Sequence, residues 1–188
     1  QQVRAADDDA LVVPVNENTA LRDALRAFAL PQKRLLTVTG ADGVTALNAY
    51  LLLPPDFSDT RAYPLLLNVY GGPGSQRVST RWELGFHAYL CSQHGVIVAA
   101  VDGRGTGARG QRFLHQPYGR LGEVETADQV AALRQLRALS YVRSAGIWGW
   151  SYGGFMAARV LAATSREQLA FAVAVAPVTD WRLYDSVY

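Results

Sequence analysis

The sequence predicts an α/β domain in which helices flank a mostly parallel sheet. Three apolar runs, near 65–70, 96–101 and 171–176, lack the polar alternation of a half-exposed strand, as expected for strands that are buried on both faces. Helix-like patterns separate these runs, and such an alternation of strand and helix is typical of parallel sheets. A glycine-flanked turn at 149–153 joins a further strand-like run directly to a helix-like run.

The N-terminal part is predicted to contain a leader followed by one helix. Residues 1–16 are expected to be a leader or the end of a preceding domain, and 17–188 to be the N-terminal and central part of the α/β domain. A helix is predicted to begin at Asn18 or Thr19, either of which can cap it, and to end before Pro31, which cannot continue it.

Strands and helices then alternate along the chain. Two strand-like runs flank the turn sequence Gly40-Ala41-Asp42-Gly43, which predicts a β-hairpin. Apolar residues at helical spacing over 123–139 predict the most regular helix. The other predicted elements are strands at 34–39, 46–53 and 145–148, helices near 82–93 and over 155–163, and a glycine-rich loop at 102–110.

Composition excludes several classes of function. The formal net charge of the 188 residues is +2 and the basic residues are scattered, which argues against a nucleic-acid surface. Cys91 is the only cysteine, so an internal disulfide and a cysteine-rich metal site are excluded. No apolar run approaches the roughly 20 residues that span a bilayer. The sequence does not decide the cellular compartment, although a periplasmic or secreted location is favoured. The single lysine, Lys33, among many arginines is typical of GC-rich bacterial genomes.

Ser151 is the strongest candidate for a catalytic residue. It is the central residue of Gly149-Trp150-Ser151-Tyr152-Gly153, between a strand-like run and a helix-like run that is rich in small residues. A turn this sharp strains the backbone of the nucleophile, and only glycines at both ends leave room for it. A purely structural turn is the alternative, but the strand-turn-helix context favours a nucleophile. The motif therefore predicts a serine hydrolase with the α/β-hydrolase fold.

The serine lacks an obvious base within the chain. A serine nucleophile needs a base and usually an orienting acid, and on this fold both follow the serine along the chain. The histidines are His87, His94 and His115. All of them precede Ser151 and are predicted to be ordinary helix or loop residues, while Asp180 and Asp185 follow it too closely for the usual acid position. The domain is therefore expected to be truncated at its C-terminus, without the triad acid and histidine.

Two groups are candidates for stabilising an oxyanion. The backbone N–H after the nucleophile, that of Tyr152, is a standard donor on this fold. Tyr70 ends a predicted strand and precedes two glycines, so its phenol can also donate to a developing negative charge. The residues alone favour the simpler interpretation that Tyr70 ends a strand.

The segment 105–110 matches the G-x-G-x-x-G pattern of dinucleotide-binding loops. That pattern requires a helix that opens at the third glycine, whereas 111–119 contains Pro117 and shows no helical period. The segment is therefore predicted to be a tight structural loop.

An aromatic-rich group follows the nucleophile. Its members are Tyr152, Val178, Trp181, Tyr184 and Tyr188. Core packing is the usual explanation for such a group. Two features favour a ligand pocket instead: the group begins just past the C-terminal end of a strand, and tyrosine and tryptophan have polar tips. A pocket of this kind would suit a compact ring such as proline.

Several segments together resemble the catalytic domain of the dipeptidyl peptidase IV group in the prolyl oligopeptidase family. They are Leu65 to Gln76 with the sequence Tyr70-Gly71-Gly72-Pro73-Gly74, Asp102-Gly103-Arg104-Gly105, Gly149 to Gly154, and Ala176-Pro177-Val178 through Asp185-Ser186-Val187-Tyr188. The resemblance runs in order from about residue 17 to the end. It is more specific than the pentapeptide around Ser151.

The resemblance implies a function and a role for each candidate residue. Ser151 would be the nucleophile and Tyr70 the side-chain oxyanion donor, paired with the Tyr152 N–H. The pocket residues Tyr152, Val178, Trp181, Tyr184 and Tyr188 would hold proline or alanine at the penultimate position of a peptide. The family reaction releases N-terminal dipeptides through an acyl-enzyme, without cofactor or metal.

The resemblance also implies partners from the rest of the enzyme. The acidic residues that bind the amino group of the substrate would come from an N-terminal β-propeller, of which residues 1–16 resemble the last stretch at most. The triad acid and histidine would come from a C-terminal segment. A peptide substrate and no nucleic acid is expected, and a homodimer is left open.

Three functional hypotheses remain. The leading one is a dipeptidyl-peptidase-type serine exopeptidase. The second is another α/β-hydrolase, either a peptidase of the oligopeptidase or acylaminoacyl type or an esterase. The third is a non-catalytic binding module.

Overall fold

The structure is a computed structural model that describes residues 2–5, 8–14 and 16–184. The chain forms two compact units, Gln1–Leu30 and Pro31–Tyr188, which are described separately. The predicted domain boundary after residue 16 stays a prediction. No helix within the described residues is both long enough and apolar enough to cross a membrane.

The first unit contains one pair of strands and a short helix. Strands β1 (Gln2–Ala5) and β2 (Asp8–Pro14) pair in antiparallel orientation. Helix α1 (Thr19–Leu25) begins at the predicted position but does not continue to residue 30. None of its seven residues is buried, and so short a helix gains little without a packed face, which explains its early end.

The second unit is built on one six-stranded sheet. The strands are β3 (Gln32–Thr39), β4 (Ala46–Leu53), β5 (Tyr63–Asn68), β6 (Ile97–Asp102), β7 (Val142–Trp150) and β8 (Phe171–Val175). Their spatial order is β3-β4-β6-β5-β7-β8. The hairpin β3–β4 and the pair β4–β6 are antiparallel, whereas β6, β5, β7 and β8 are parallel to one another. The predicted mostly parallel sheet is therefore confirmed.

Helices cover both faces of this sheet. They are α2 (Phe86–His94), α3 (Gln111–Leu114), α4 (Val124–Arg137) and α5 (Tyr152–Ala162), followed by a 3-10 turn at Trp181–Leu183. Alternate residues of β6 separate the two faces: Ile97 and Ala99 belong to the larger core with α4 and α5, and Val98 packs in the smaller core with α2. This is the flanked sheet that the apolar runs predicted.

Three helices of this unit differ from the sequence-based expectation. Helix α5 begins at Tyr152 and not at residue 155. Helix α2 begins at Phe86 and not near residue 82, because Gly85 takes an extended conformation with φ −148° just before it. A single helical turn, α3, follows Gly110, although the segment 111–119 was predicted to contain no helix. The prediction was wrong at that point: four residues suffice for one turn, and Pro117 lies beyond its end.

The parallel strands bring the candidate residues to one edge of the sheet. Tyr70 follows β5, the glycine-rich loop follows β6, Ser151 follows β7, and Val178 follows β8. Ligand sites in α/β proteins form at this carboxyl edge.

Candidate active site

Ser151 occupies a strained turn between β7 and α5. Its φ is +59° and its ψ is −118°, a conformation that side-chain-bearing residues seldom adopt. The Ser151 N–H donates to the carbonyl of Val175 at 2.9 Å, and the Ser151 carbonyl accepts from the Phe155 N–H at 3.1 Å. Such strain costs about 1–3 kcal/mol and persists only when the surrounding structure enforces it.

Three glycines make this turn possible. A Cβ on Gly149 would overlap the carbonyl of Gly153 and lie 2.6 Å from the carbonyl oxygen of Val69, and a Cβ on Gly153 would overlap that same oxygen. A Cβ on Gly154 would lie 2.9 Å from the carbonyl oxygen of Val175. The start of α5 therefore packs against the backbone at the ends of β5 and β8. The predicted geometry of the turn is confirmed, and the catalytic role of Ser151 stays a prediction.

A cavity of about 220 Å³ lies beside Ser151. Its other lining residues belong to the segment after β8: Ala176, Pro177, Val178, Thr179, Asp180, Leu183 and Tyr184. The Asp180 carboxylate accepts from the Arg182 N–H at 3.0 Å and so caps the 3-10 turn that forms one wall. Of the residues predicted for a substrate pocket, Val178 and Tyr184 line this cavity.

The other predicted pocket residues lie behind this wall or outside the described residues. The Trp181 ring packs against the rings of Tyr152 at 5.6 Å, Phe155 at 5.3 Å and Tyr184 at 5.8 Å. Tyr188 lies outside the described residues, together with 185–187. The shared face that the spacing of Trp181 and Tyr184 predicted is present as direct ring contact.

Tyr152 has its side chain buried, with 3% of its surface exposed. Its ring contacts that of Tyr70 at a centroid distance of 6.1 Å, and its hydroxyl donates to the Glu125 carboxylate at 2.5 Å. The residue after the nucleophile is therefore held at both ends, by the turn and by Glu125.

Tyr70 lies half-buried just after β5. A Cβ on Gly72 would lie 2.7 Å from its ring, so the glycine leaves the space that the ring occupies. The Arg77 guanidinium lies 5.3 Å from the centre of the ring. The Asp102 carboxylate accepts from the backbone N–H groups of Arg77 and Val78 at 2.9 and 2.8 Å, which fixes the segment that follows Tyr70.

The glycine-rich loop after β6 binds to the protein itself. Its Gly105 N–H donates to the Phe113 carbonyl at 3.0 Å, and its Gly107 N–H donates to the Ser75 carbonyl at 2.8 Å. The buried Asp128 carboxylate accepts from the Arg104 backbone at 2.9 Å and from its guanidinium at 2.7 Å. Because these N–H groups already have partners, the geometry supports the predicted structural loop over a nucleotide site.

The three histidines have structural environments. His87 accepts a hydrogen bond from the Trp148 indole at 3.0 Å, and burial lowers its pKa. His94 pairs with the Tyr89 hydroxyl at 3.3 Å, and His115 is exposed at the end of α3. Within residues 16–184 no hydrogen bond joins any of them to Ser151, and no three potential ligands among His, Cys, Asp and Glu converge there as a metal site.

Sequence reasoning missed the roles of three residues around the site: Glu125 and Arg77, which contact Tyr152 and Tyr70, and Asp102, which holds the segment after Tyr70. Asp102 carried a signal, because a carboxylate directly after an apolar buried strand requires partners. Glu125 carried none, since a charged residue in the first turn of a helix is usually exposed.

Comparison with known proteins places the chain in a family. The model of the prolyl oligopeptidase family matches residues 82–188. The chain belongs to the prolyl oligopeptidase family. The resemblance inferred from the motifs is thereby confirmed, and with it the α/β-hydrolase fold.

Relatives within the prolyl oligopeptidase family are similar over nearly the whole chain. A protein named probable dipeptidyl-aminopeptidase B from Aspergillus clavatus is 43% identical over 176 residues, which are 93% of this chain and 19% of that protein. Its counterpart from Emericella nidulans is 42% identical over the same shares. The crystal structure of Porphyromonas gingivalis dipeptidyl peptidase 4 superimposes with a TM-score of 0.83 at 41% identity, over 93% of this chain and 25% of that one. The chain thus spans about a fifth of the length of the curated relatives.

Proposed function

We propose that this chain carries the nucleophile of a serine exopeptidase that releases dipeptides from the N-terminus of peptides. The observation that supports this most strongly is the strained backbone of Ser151 at the carboxyl edge of the sheet, beside a cavity. Strain of this kind clusters at catalytic sites. The relatives named dipeptidyl-aminopeptidase and dipeptidyl peptidase support the choice of substrate.

In the proposed reaction, the Oγ of Ser151 attacks the carbonyl carbon of the second residue of the substrate. The carbonyl oxygen gains negative charge, and the Tyr152 N–H and the Tyr70 hydroxyl donate hydrogen bonds to it. The C–N bond breaks, the amine leaves with a proton, and the dipeptide remains as an ester on Ser151 until water hydrolyses it. A histidine oriented by an acid is proposed to accept and return the proton, and both are proposed to lie in polypeptide outside residues 1–188.

The cavity beside Ser151 is proposed to hold the side chain of the penultimate residue. Its volume of about 220 Å³ leaves room for the side chain of proline or alanine, and Val178 and Tyr184 supply apolar surface. Trp181 and Tyr152 support the wall from behind, and Tyr188 is proposed to complete it. Acidic residues of an N-terminal propeller are proposed to bind the free amino group.

Hydrolysis of Gly-Pro and Ala-Pro p-nitroanilides by the purified full-length protein tests this proposal. The wild type should release nitroaniline, and Ser151→Ala should reduce the rate to background. Ser165→Ala, an exposed serine beyond α5, serves as the matched control and should leave the rate unchanged. No release by the wild type would reject a dipeptidyl peptidase.

The same assay separates the other hypotheses. Cleavage of N-terminally blocked or internal peptide bonds would indicate a peptidase of the oligopeptidase or acylaminoacyl type. Rapid hydrolysis of p-nitrophenyl esters with negligible amide hydrolysis would indicate an esterase. Hydrolysis of neither would favour a non-catalytic module.

A further inference from the structure

A buried carboxylate lies behind the candidate nucleophile, and the proposed reaction does not use it directly. Glu125 is in the first turn of α4 and 1% of its surface is exposed. Its two oxygens accept from the Gly122 N–H at 3.1 and 3.0 Å, and one of them accepts from the Tyr152 hydroxyl at 2.5 Å. A carboxylate is costly to bury, so a hydrogen-bonded one at such a position requires an explanation.

The loop that holds Glu125 is itself fixed against α5. Arg159 of α5 donates to the Gly122 carbonyl at 3.0 Å. A Cβ on Gly122 would lie 2.6 Å from the Phe155 ring, so only glycine allows this contact. The position of Glu125 relative to the turn at Ser151 is therefore set by the packing of the loop at Gly122 against side chains of α5.

Tyr152 transmits this position to the site. Its backbone follows Ser151 directly, and its ring contacts Tyr70 at 6.1 Å and Trp181 at 5.6 Å. A rotation of the ring would therefore disturb the tyrosine proposed to bind the oxyanion and the tryptophan that backs the cavity. The hydrogen bond to Glu125 opposes such a rotation about the Cα–Cβ bond, because that rotation would carry the hydroxyl away from the carboxylate.

We propose that Glu125 is a positioning residue that determines specificity for the penultimate residue of the substrate. It holds the Tyr152 ring, and through it Trp181, in the orientation that shapes the cavity beside Ser151. This inference rests on the proposed peptidase function. Glu125 itself touches neither the substrate nor the reacting atoms.

The hydrogen bonds that Glu125 accepts determine which substitutions test its role. A carboxylate only accepts hydrogen bonds, which matches the two donors that surround it. Glutamine keeps one accepting oxygen at the same place, whereas leucine keeps only the bulk. Glu123 is exposed and lies two residues before Glu125, so it offers a matched control for the loss of one negative charge.

The first experiment compares Glu125→Leu, Glu125→Gln and Glu123→Gln in the full-length protein. For Glu125→Leu we expect the ratio of kcat/KM for Gly-Pro over Gly-Val p-nitroanilide to fall about tenfold, the loss expected when a charge-assisted hydrogen bond is removed. Glu125→Gln, which keeps one accepting oxygen, should lower this ratio less than Glu125→Leu does, and Glu123→Gln should match the wild type. A lower melting temperature with an unchanged ratio would show that Glu125 is merely structural and would overturn the proposal.

A second experiment applies even if Glu125→Leu does not fold. Glu125→Gln is combined with Tyr152→Phe, which removes the hydroxyl from the same bond. We expect Glu125→Gln to lower kcat/KM for Gly-Pro p-nitroanilide about fivefold when Tyr152 is present and less than about twofold in the Tyr152→Phe background. The effects of two substitutions in one hydrogen bond do not add, because the first already removes the bond. Equal effects in both backgrounds would overturn the proposal.

The readouts distinguish this inference from the proposed function. A wild type without dipeptidyl peptidase activity refutes the function, whereas an active wild type with unchanged Glu125 variants refutes the inference. Where the amide substrates fail, the rate at which a fluorophosphonate labels Ser151 replaces kcat/KM in the double-mutant comparison. Additive effects on that rate would likewise overturn the proposal.

Discussion

Replacing Gly153 with alanine should open the turn that presents Ser151. At an unhindered helical position, alanine would stabilise the protein by about 1 kcal/mol relative to glycine. At Gly153, however, the new Cβ would overlap the carbonyl oxygen of Val69 and lie 3.1 Å from the Cα of Tyr70. Both are backbone atoms, and the Val69 N–H is held by the Trp148 carbonyl at 3.0 Å, so they cannot move aside cheaply.

The expected cost follows from these contacts. Overpacking of a rigid site costs about 1–3 kcal/mol, and an overlap with backbone belongs at the upper end of that range. After the gain in helix propensity, the net loss in the free energy of unfolding is about 2 kcal/mol. The displaced turn should also lower kcat, because the Tyr152 N–H moves with it.

The assay is the melting temperature of the full-length protein together with its kcat on Gly-Pro p-nitroanilide. Gly85→Ala is the matched control, because a Cβ there meets no atom within 4 Å. We expect Gly153→Ala to melt at a lower temperature and to turn over more slowly, and Gly85→Ala to leave kcat unchanged. If Gly153→Ala melted and turned over like the wild type, the packing argument for the turn would be refuted.

Three further predictions concern single side chains. Tyr70→Phe should lower kcat about 10²–10³-fold with little change in KM, as for the loss of one oxyanion donor. Tyr118→Phe, at a residue that is 87% exposed, is the control and should leave kcat unchanged. An unchanged kcat in Tyr70→Phe would remove Tyr70 from the mechanism. Because burial lowers the pKa of His87 from its ordinary 6.5, the folded state resists protonation and stability should fall as the pH drops below about 6.5. His87→Gln should flatten the pH dependence of the melting temperature more than His94→Gln, and equal effects would contradict the assignment. Burial raises the pKa of Cys91 to about 12, so iodoacetamide should alkylate it, as followed by peptide mapping, only after unfolding; rapid alkylation of the native protein would count against its burial.

The fold was largely predictable because its signals are local. The apolar runs of β5 and β6 specify strands buried on both faces, and the structure places them at the centre of the sheet. The turn at Ser151 was predictable for the same reason, because a turn this sharp requires glycines at fixed positions on either side of the serine.

The surroundings of the nucleophile were less predictable because they depend on contacts between distant segments. Glu125 looks like an ordinary exposed residue at the start of a helix, and only the packing of α4 against α5 buries it next to Tyr152. The early end of α1 and the start of α2 at Phe86 likewise depend on packing and on the extended Gly85, which helical spacing does not reveal.

Covalent labelling of Ser151 tests the central claim most directly. A fluorophosphonate reacts with a serine hydroxyl that is activated and accessible, and peptide mapping identifies the residue that carries it. In the full-length protein we expect stoichiometric labelling of Ser151, none in Ser151→Ala, and wild-type labelling in Ser165→Ala. A folded wild-type protein whose Ser151 stays unlabelled would contradict the assignment of this residue as a nucleophile.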